Sequence, residues 1–331
     1  MSFYSTSVDR RGFLKIVSIA VIAPAVGEAE QAGKVFKVGL FHVGLDHVPP
    51  SLDGLRDGLK ALGYVDGKNI RLDWRNLADE AAARETARQF VRERVDLIVA
   101  FESQTVRAAK AATTEIPIVF LHVTDPVTEG FVHSLSHPGG NLTGSAEFFA
   151  ELAPKRLELL KELVPHLRRL LTLVGTDDAA ATVMRAEVRK TSATLGIESI
   201  EREVRTQADV ERVFGSLKPG EVDAVFMATL NLYTNFPSLI VRLTSQMRLP
   251  IVFHRKEWVV RGALLSYGVN FRAQGEEAAR YVDKIFKGSK PADLPIEQPT
   301  KLELVINLKA AKALGLAIPQ SLLLRDDQIV Q

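Results

Sequence analysis

Ser103, Gln104 and Thr105 open a helical pattern directly after the apolar run Asp96–Phe101. The first turn of a helix presents unbonded backbone N–H groups and the positive end of its dipole, which suits a ligand carboxylate. The hydroxyls of Ser103 and Thr105 add donors there, and Asp178, followed by Ala179 and Ala180, opens a second turn of the same kind. Asp125 can accept a ligand ammonium, while Phe101 or Tyr233 can stack on an apolar or aromatic part. Asn231, Tyr267 and Asn270 join the candidate set from neighbouring loops. A plainer role for Ser103, Asp177 and Asp178 as helix caps stands beside the binding role.

These residues point to binding rather than bond-making. The sequence has no G-x-x-x-x-G-K-[ST], no H-E-x-x-H and no G-x-S-x-G. His133 and His137 are four residues apart and could share a helical face as metal ligands. No carboxylate follows at a useful spacing and Pro138 ends any helix, so neither a metal nor a cofactor is expected. Asp177 and Asp178 are adjacent, and adjacent residues do not face one another on a helix, so they make no acid–base dyad. With no cysteine in the chain, disulfides, thiolate metal sites and a cysteine nucleophile are excluded.

The elements that must position these groups alternate. Strands are expected at Val35–Phe41, Asn69–Trp74, Asp96–Phe101 and Pro117–His122. Between them lie helical patterns at Pro50–Leu62, at Asp79–Glu93 with Asp79 as N-cap, and from Ser103 onward. Asp96–Phe101 and Pro117–His122 are apolar enough to be buried on both faces, the mark of a parallel sheet covered on both sides. After Gly139-Gly140 the pattern restarts, with strands at Arg169–Val174, Ile197–Val204, Asp223–Met227 and Ile251–Phe253. Ala263–Tyr267, a helix at Ala273–Phe286 and a late strand Leu302–Ile306 are too small for a third domain.

The expected fold is therefore α/β, with two doubly wound parallel-sheet lobes joined by a hinge that the chain crosses several times. Gly139-Gly140 is the expected first crossing. Lobe one is assigned residues 35–147 and 266–298, and lobe two residues 150–264 and 299–331. Ligands of open α/β sheets sit outside the carboxyl ends of the strands. That rule selects the loops His42–Asp46, Glu102–Thr105 and Thr124–Pro126 in one lobe, and Thr176–Ala180, Thr229–Tyr233 and His254–Glu257 in the other.

Composition narrows the class of partner. The chain is 46% hydrophobic and 25% charged with a formal charge of +2, and it has no basic stripe interleaved with aromatics, so nucleic acid is not an expected partner. At the N-terminus, Asp9-Arg10-Arg11-Gly12-Phe13-Leu14-Lys15 precedes a short apolar run from Ile16 to Val26, with small residues up to Ala29. That is a signal-peptide pattern over residues 1–29, too short to span a bilayer, which takes about 20 apolar residues. It resembles the twin-arginine export motif, with Asp9 where the motif has Ser or Thr.

The ordered motifs carry a family resemblance. They are Asp125-Pro126-Val127, Pro138-Gly139-Gly140-Asn141-Leu142-Thr143-Gly144, Lys155-Arg156-Leu157-Glu158-Leu159-Leu160-Lys161-Glu162-Leu163-Val164-Pro165, Ser266-Tyr267-Gly268, Lys290-Pro291-Ala292-Asp293-Leu294-Pro295, and Asn307-Leu308-Lys309-Ala310-Ala311-Lys312-Ala313-Leu314-Gly315-Leu316. Together they resemble the bacterial ABC-transporter substrate-binding proteins related to tryptophan- and tyrosine-type binders. The chain departs from that pattern at Phe101-Glu102-Ser103, where the family has a small Gly-Thr or Gly-Ser turn. The resemblance implies a type I periplasmic-binding fold, no enzymatic role and hinge closure on a small solute such as an amino acid or similar small carboxylate. It also implies a periplasmic monomer that delivers to an ABC permease in the cytoplasmic membrane. An exported hydrolase or isomerase using the cleft, or a sensor subunit presenting ligand to a receptor, are the competing readings.

Overall fold

The computed structural model describes residues 33–44, 49–147, 149–176, 181–229, 232, 236–325 and 327–330. Its first sheet is built from short β-branched runs: β1 (Phe36–Val43), β2 (Ile70–Leu77), β3 (Leu97–Phe101), β4 (Ile118–Val123) and β5 (Leu142–Ala146). All pairs are parallel, in the order β2-β1-β3-β4-β5. Strand alternation sorts the side chains. Leu97, Val99 and Phe101 face α1 (Pro50–Ala61), whereas Ile98 and Ala100 face α2 (Glu80–Arg92) and α3 (Glu102–Ala112). Asp79 caps α2 as expected, its side chain accepting from the Ala82 N–H.

The chain crosses to the second lobe after β5, not at Gly139-Gly140. Gly139 (φ 74°) instead belongs to a turn in which the His133 N–H donates to the Pro138 carbonyl, and Leu142–Ala146 then adds an edge strand to the first sheet. Beyond Ala146, Glu147 donates its N–H to Val123 before α4 (Ala153–Leu163) begins.

In the second lobe, β6 (Arg169–Gly175), β7 (Glu198–Val204) and β8 (Ala224–Met227) pair in the order β7-β6-β8. The strands β9 (Val252–Phe253), β10 (Leu265–Val269), β11 (Leu302–Asn307) and β12 (Gln328–Val330) pair in the order β12-β11-β10-β9. A parallel bridge from Val225 to Ile251 links the two groups, and one apolar cluster running from Phe149 to Leu322 underlies both. The helices here include α4, α5 (Ala181–Thr194), α6 (Gln207–Ser216), α7 (Pro237–Gln246) and α8 (Lys256–Val260), together with two short helices near the C-terminus, Leu308–Ala313 and Gln320–Leu323. Ser266–Val269, assigned from the sequence to lobe one, lies in β10 and pairs with β9 and β11 of this second sheet.

Only after β10 does the chain return. α9 (Phe271–Phe286) packs on the first lobe against α1, burying Ala278, Val282 and Ile285 with Leu52, Leu55 and Leu59. The two helices approach so closely that a Cβ on Gly275 would lie 2.0 Å from the Ser51 carbonyl oxygen, and one on Gly54 would lie 1.9 Å from the Arg272 carbonyl. The third crossing follows the bridge between Ser145 and Glu297 and leads into β11.

Candidate functional site

The carboxyl ends of β1, β3 and β4 meet the loop after β9 across a cavity of about 470 Å³. His42, Glu102 and His122 line it from the first lobe; Arg255, Glu257 and Trp258 line it from the second, and Phe271 stands at the second crossing. Among the described residues four non-glycine positions have positive φ. Arg94 and Arg248 simply follow helix ends, but Glu102 (φ 71°) and His122 (φ 59°) both face this cavity. Left-handed backbone at such residues is held by its surroundings, and it concentrates where a fold aims side chains for use.

His42 is 1% exposed. Its Nδ1 lies 3.0 Å from the Val43 carbonyl oxygen, and its Nε2 is 3.1 Å from Glu102 Oε1. The imidazole of His122 is 8% exposed, and neither ring nitrogen has a hydrogen-bond partner among the described residues. Its contacts are aromatic: Phe271 meets it edge-on at 4.7 Å between centroids, and Phe101 lies at 5.7 Å. Arg255 also stacks on Phe271, its guanidinium carbon 4.4 Å from the ring centroid.

Burial, reinforced by the Arg255 charge, holds both His122 and His254 well below the usual imidazole value. Burial also pushes the Glu147 carboxyl up to about 7, although Arg255 opposes the shift. Arg255 Nε and Glu257 Oε2 are buried without a partner among the described residues. Buried polar atoms are normally paired, so an unpaired donor and acceptor on one cavity wall mark places for a guest's polar atoms.

The residues singled out from sequence fall elsewhere. Phe101 is 0% exposed in the core beneath α1, so it does not face the cavity. Ser103 donates to Glu129, Gln104 is exposed on α3, and Thr105 turns its hydroxyl back to the Phe101 and Glu102 carbonyls. Asp125 accepts from the Thr128 N–H at 3.0 Å and closes the turn after β4. Tyr267 is half-buried on β10 against the second core, and its carbonyl accepts from Arg156. Asn270 caps α9 through Ala273 and donates to Glu303, tying the second crossing to the third. None of these residues lines the cavity, whereas Asp178, Asn231 and Tyr233 lie outside the described residues. The strand-end rule did select the loops that supply His42, Glu102, Arg255 and Glu257, whereas side-chain chemistry alone picked residues of which the described ones do not line this cavity.

Comparison with known proteins agrees with this architecture. The family model described as ABC transporter substrate binding protein matches residues 40–330. A curated relative, the tyrosine-binding protein of Clostridioides difficile (strain R20291), is 30% identical over 272 residues, covering 81% of this chain and 78% of the relative. A solved conserved domain protein from Vibrio cholerae is 31% identical, with a TM-score of 0.75 over 89% of this chain and 100% of that one. The ABC domain from Streptococcus pneumonia in complex with L-Trp is 25% identical, with a TM-score of 0.76 over 90% of this chain and 100% of that one. The fold is that of the type I periplasmic binding proteins, and the matching family is one of substrate-binding proteins, not of enzymes. Two lobes, three crossings and a cavity at the strand ends are thus the marks of kinship, and this chain belongs to the ABC transporter substrate-binding protein family.

Proposed function

We propose that the chain is the solute-receiving subunit of an ABC importer and that its ligand is an α-amino acid with an apolar or aromatic side chain. The observation that carries this reading is the pair of unpartnered buried atoms on one cavity wall, Arg255 Nε and Glu257 Oε2. They are one donor and one acceptor, the complement of a carboxylate and an ammonium on a single small molecule. Phe271, Trp258 and Leu239 supply apolar surface beside them. The cavity volume falls in the usual range for small-molecule sites, about 300–1,000 Å³. Relatives that bind tyrosine and L-Trp support the same class.

The mechanism is hinge closure. A solute that touches both walls only when the lobes approach has a higher affinity for the closed state and shifts the population towards it. Nothing in that cycle requires a covalent step. The Arg10-Arg11 segment supports export and hence work outside the cytoplasmic membrane, where the partner is a membrane permease.

A thermal-shift screen with tyrosine, tryptophan and leucine, set against the same side chains lacking either the amino or the carboxyl group, tests the reading. At 100 times its dissociation constant a true ligand stabilises the fold by about 2.7 kcal/mol. Equal shifts from the deaminated or decarboxylated analogues would sink the zwitterion assignment, as would no shift from any amino acid.

A further inference from the structure

The fold brings three potential metal ligands together at the cavity floor. Donor atoms of His42, Glu102 and His122 all lie within 4.8 Å of one another. They come from the ends of three parallel strands, so no short sequence spacing announces them. The sequence pattern turned attention instead to His133 and His137, which lie near a surface turn with His137 bonded to Ser136.

Three observations bear on what the cluster does. The first is the His42–Glu102 contact. A carbonyl oxygen only accepts, so the contact from His42 Nδ1 to Val43 assigns the proton to Nδ1. In the neutral ring Nε2 then carries a lone pair, and it points at a carboxylate oxygen 3.1 Å away. Two acceptors do not rest at that distance unless a proton or a cation lies between them. Ligand bonds of about 2.0–2.2 Å at the tetrahedral angle place adjacent donor atoms about 3.4 Å apart, so opening this 3.1 Å contact by a few tenths of an ångström admits a zinc ion in place of the proton.

The second is the ring of His122. It is 8% exposed, both nitrogens lack a partner among the described residues, and it lines the cavity beside the pair. Leaving a buried polar group unsatisfied is costly, so an imidazole in this state calls for a guest. Its contacts with Phe271 and Phe101 are ring contacts, which hold the ring beside the pair without occupying either nitrogen. The third is donor chemistry. Two imidazoles and one carboxylate suit zinc and its first-row neighbours and leave further positions open to the cleft.

We propose that His42, Glu102 and His122 form the protein side of a divalent transition-metal site at the floor of the cleft. His42 Nε2, a Glu102 carboxylate oxygen and one His122 nitrogen are the ligands, and the remaining positions of the ion face the cavity. The site stands on this cluster alone and does not rest on the amino-acid reading.

The test is a zinc titration of the full chain, purified without a polyhistidine tag and stripped with a chelator, followed by calorimetry with no amino acid present. One zinc per chain is expected, with affinity reduced at least about tenfold in each of His42→Gln, His122→Ala and Glu102→Gln. Cobalt(II) should give visible d–d absorption in the parent and lose it in the variants. Circular dichroism and melting in chelator establish that each variant is folded; Glu102→Gln, at a partly exposed side chain, keeps the test intact should His122→Ala not fold. Absence of zinc binding by the parent overturns the proposal, as does undiminished binding by all folded variants. Because no amino acid is present, either result leaves the solute assignment untouched.

Discussion

The guanidinium carbon of Arg255 stands 4.4 Å from the centroid of the Phe271 ring, joining the loop after β9 to the first residue of the helix that returns to lobe one. Arg255 is thus held at the boundary of the lobes by a stack worth about 0.5–2 kcal/mol, with its Nε left for a ligand. Arg255→Ala is expected to lower affinity for the amino-acid ligand by at least about tenfold, the loss of one charge-assisted hydrogen bond. Arg255→Lys keeps the charge but not the planar stack, and recovers only part. Calorimetric titration reads both, and parental affinity in Arg255→Ala would remove this residue from the site.

The close approach of α1 and α9 predicts a second outcome. A methyl group on Gly275 would meet the Ser51 carbonyl at 2.0 Å, and a backbone atom cannot rotate away as a side chain would. Gly275→Ala therefore has to force the helices apart, costing about 1–3 kcal/mol or more. Urea denaturation measures the loss; stability equal to the parent would contradict the packing.

Glu147 predicts a pH dependence. Its carboxyl is raised by burial from 4.5 to about 7. Below about pH 4.5 the group is protonated both folded and unfolded, and it contributes nothing to the pH slope. Between 4.5 and 7 the unfolded chain ionises first, so the folded state holds more protons and stability falls as pH rises. Above 7 the full penalty, on the order of 3 kcal/mol, remains. Glu147→Gln cannot ionise and escapes it. The variant should exceed the parent in stability at pH 8 and match it near pH 4; a pH-independent difference between the two would refute the raised value.

Asp125 predicts a separation of stability from binding. Its carboxylate closes a turn by accepting from Thr128 rather than facing the cavity. Asp125→Ala should cost about 1 kcal/mol, as loss of a capping side chain does, and leave solute affinity near the parental value. A large loss of affinity without loss of stability would return Asp125 to the site.

How far the sequence disclosed this molecule depends on the kind of signal. Continuous apolar runs such as Leu97–Phe101 announced buried parallel strands, and Asp79 announced its helix. β5 reads Leu-Thr-Gly-Ser-Ala, with no apolar run to notice. It is held in place by Thr143, which donates to the Leu294 carbonyl, and by a close approach to β4 that only glycine allows, since a Cβ on Gly144 would lie 2.1 Å from the Phe120 oxygen. Both partners are distant in sequence or strand, so local reading misses them. Phe101 lies in the core for a different reason. Strand alternation puts it with Leu97 and Val99, and that parity, applied strictly, assigns it to the core. His122 had no signal at all. Its left-handed backbone falls where the β4–β5 register shifts, and this turns a strand-end residue into a cavity residue.

The return of α9 has a consequence for how the molecule is made. Tyr64 donates to Asp283 across 219 positions, and Leu52, Leu55 and Leu59 are covered by a helix from the far end of the chain. During synthesis the first five strands emerge early, yet their sheet keeps one greasy flank bare until residue 286 has left the ribosome. A message cut short before Phe271 would yield no autonomous half, only a sticky fragment prone to aggregation. Completion of the first lobe waits on nearly the last helix, and such distant contacts make for slow folding. A chain delayed in this way stays open longer to chaperones before it closes.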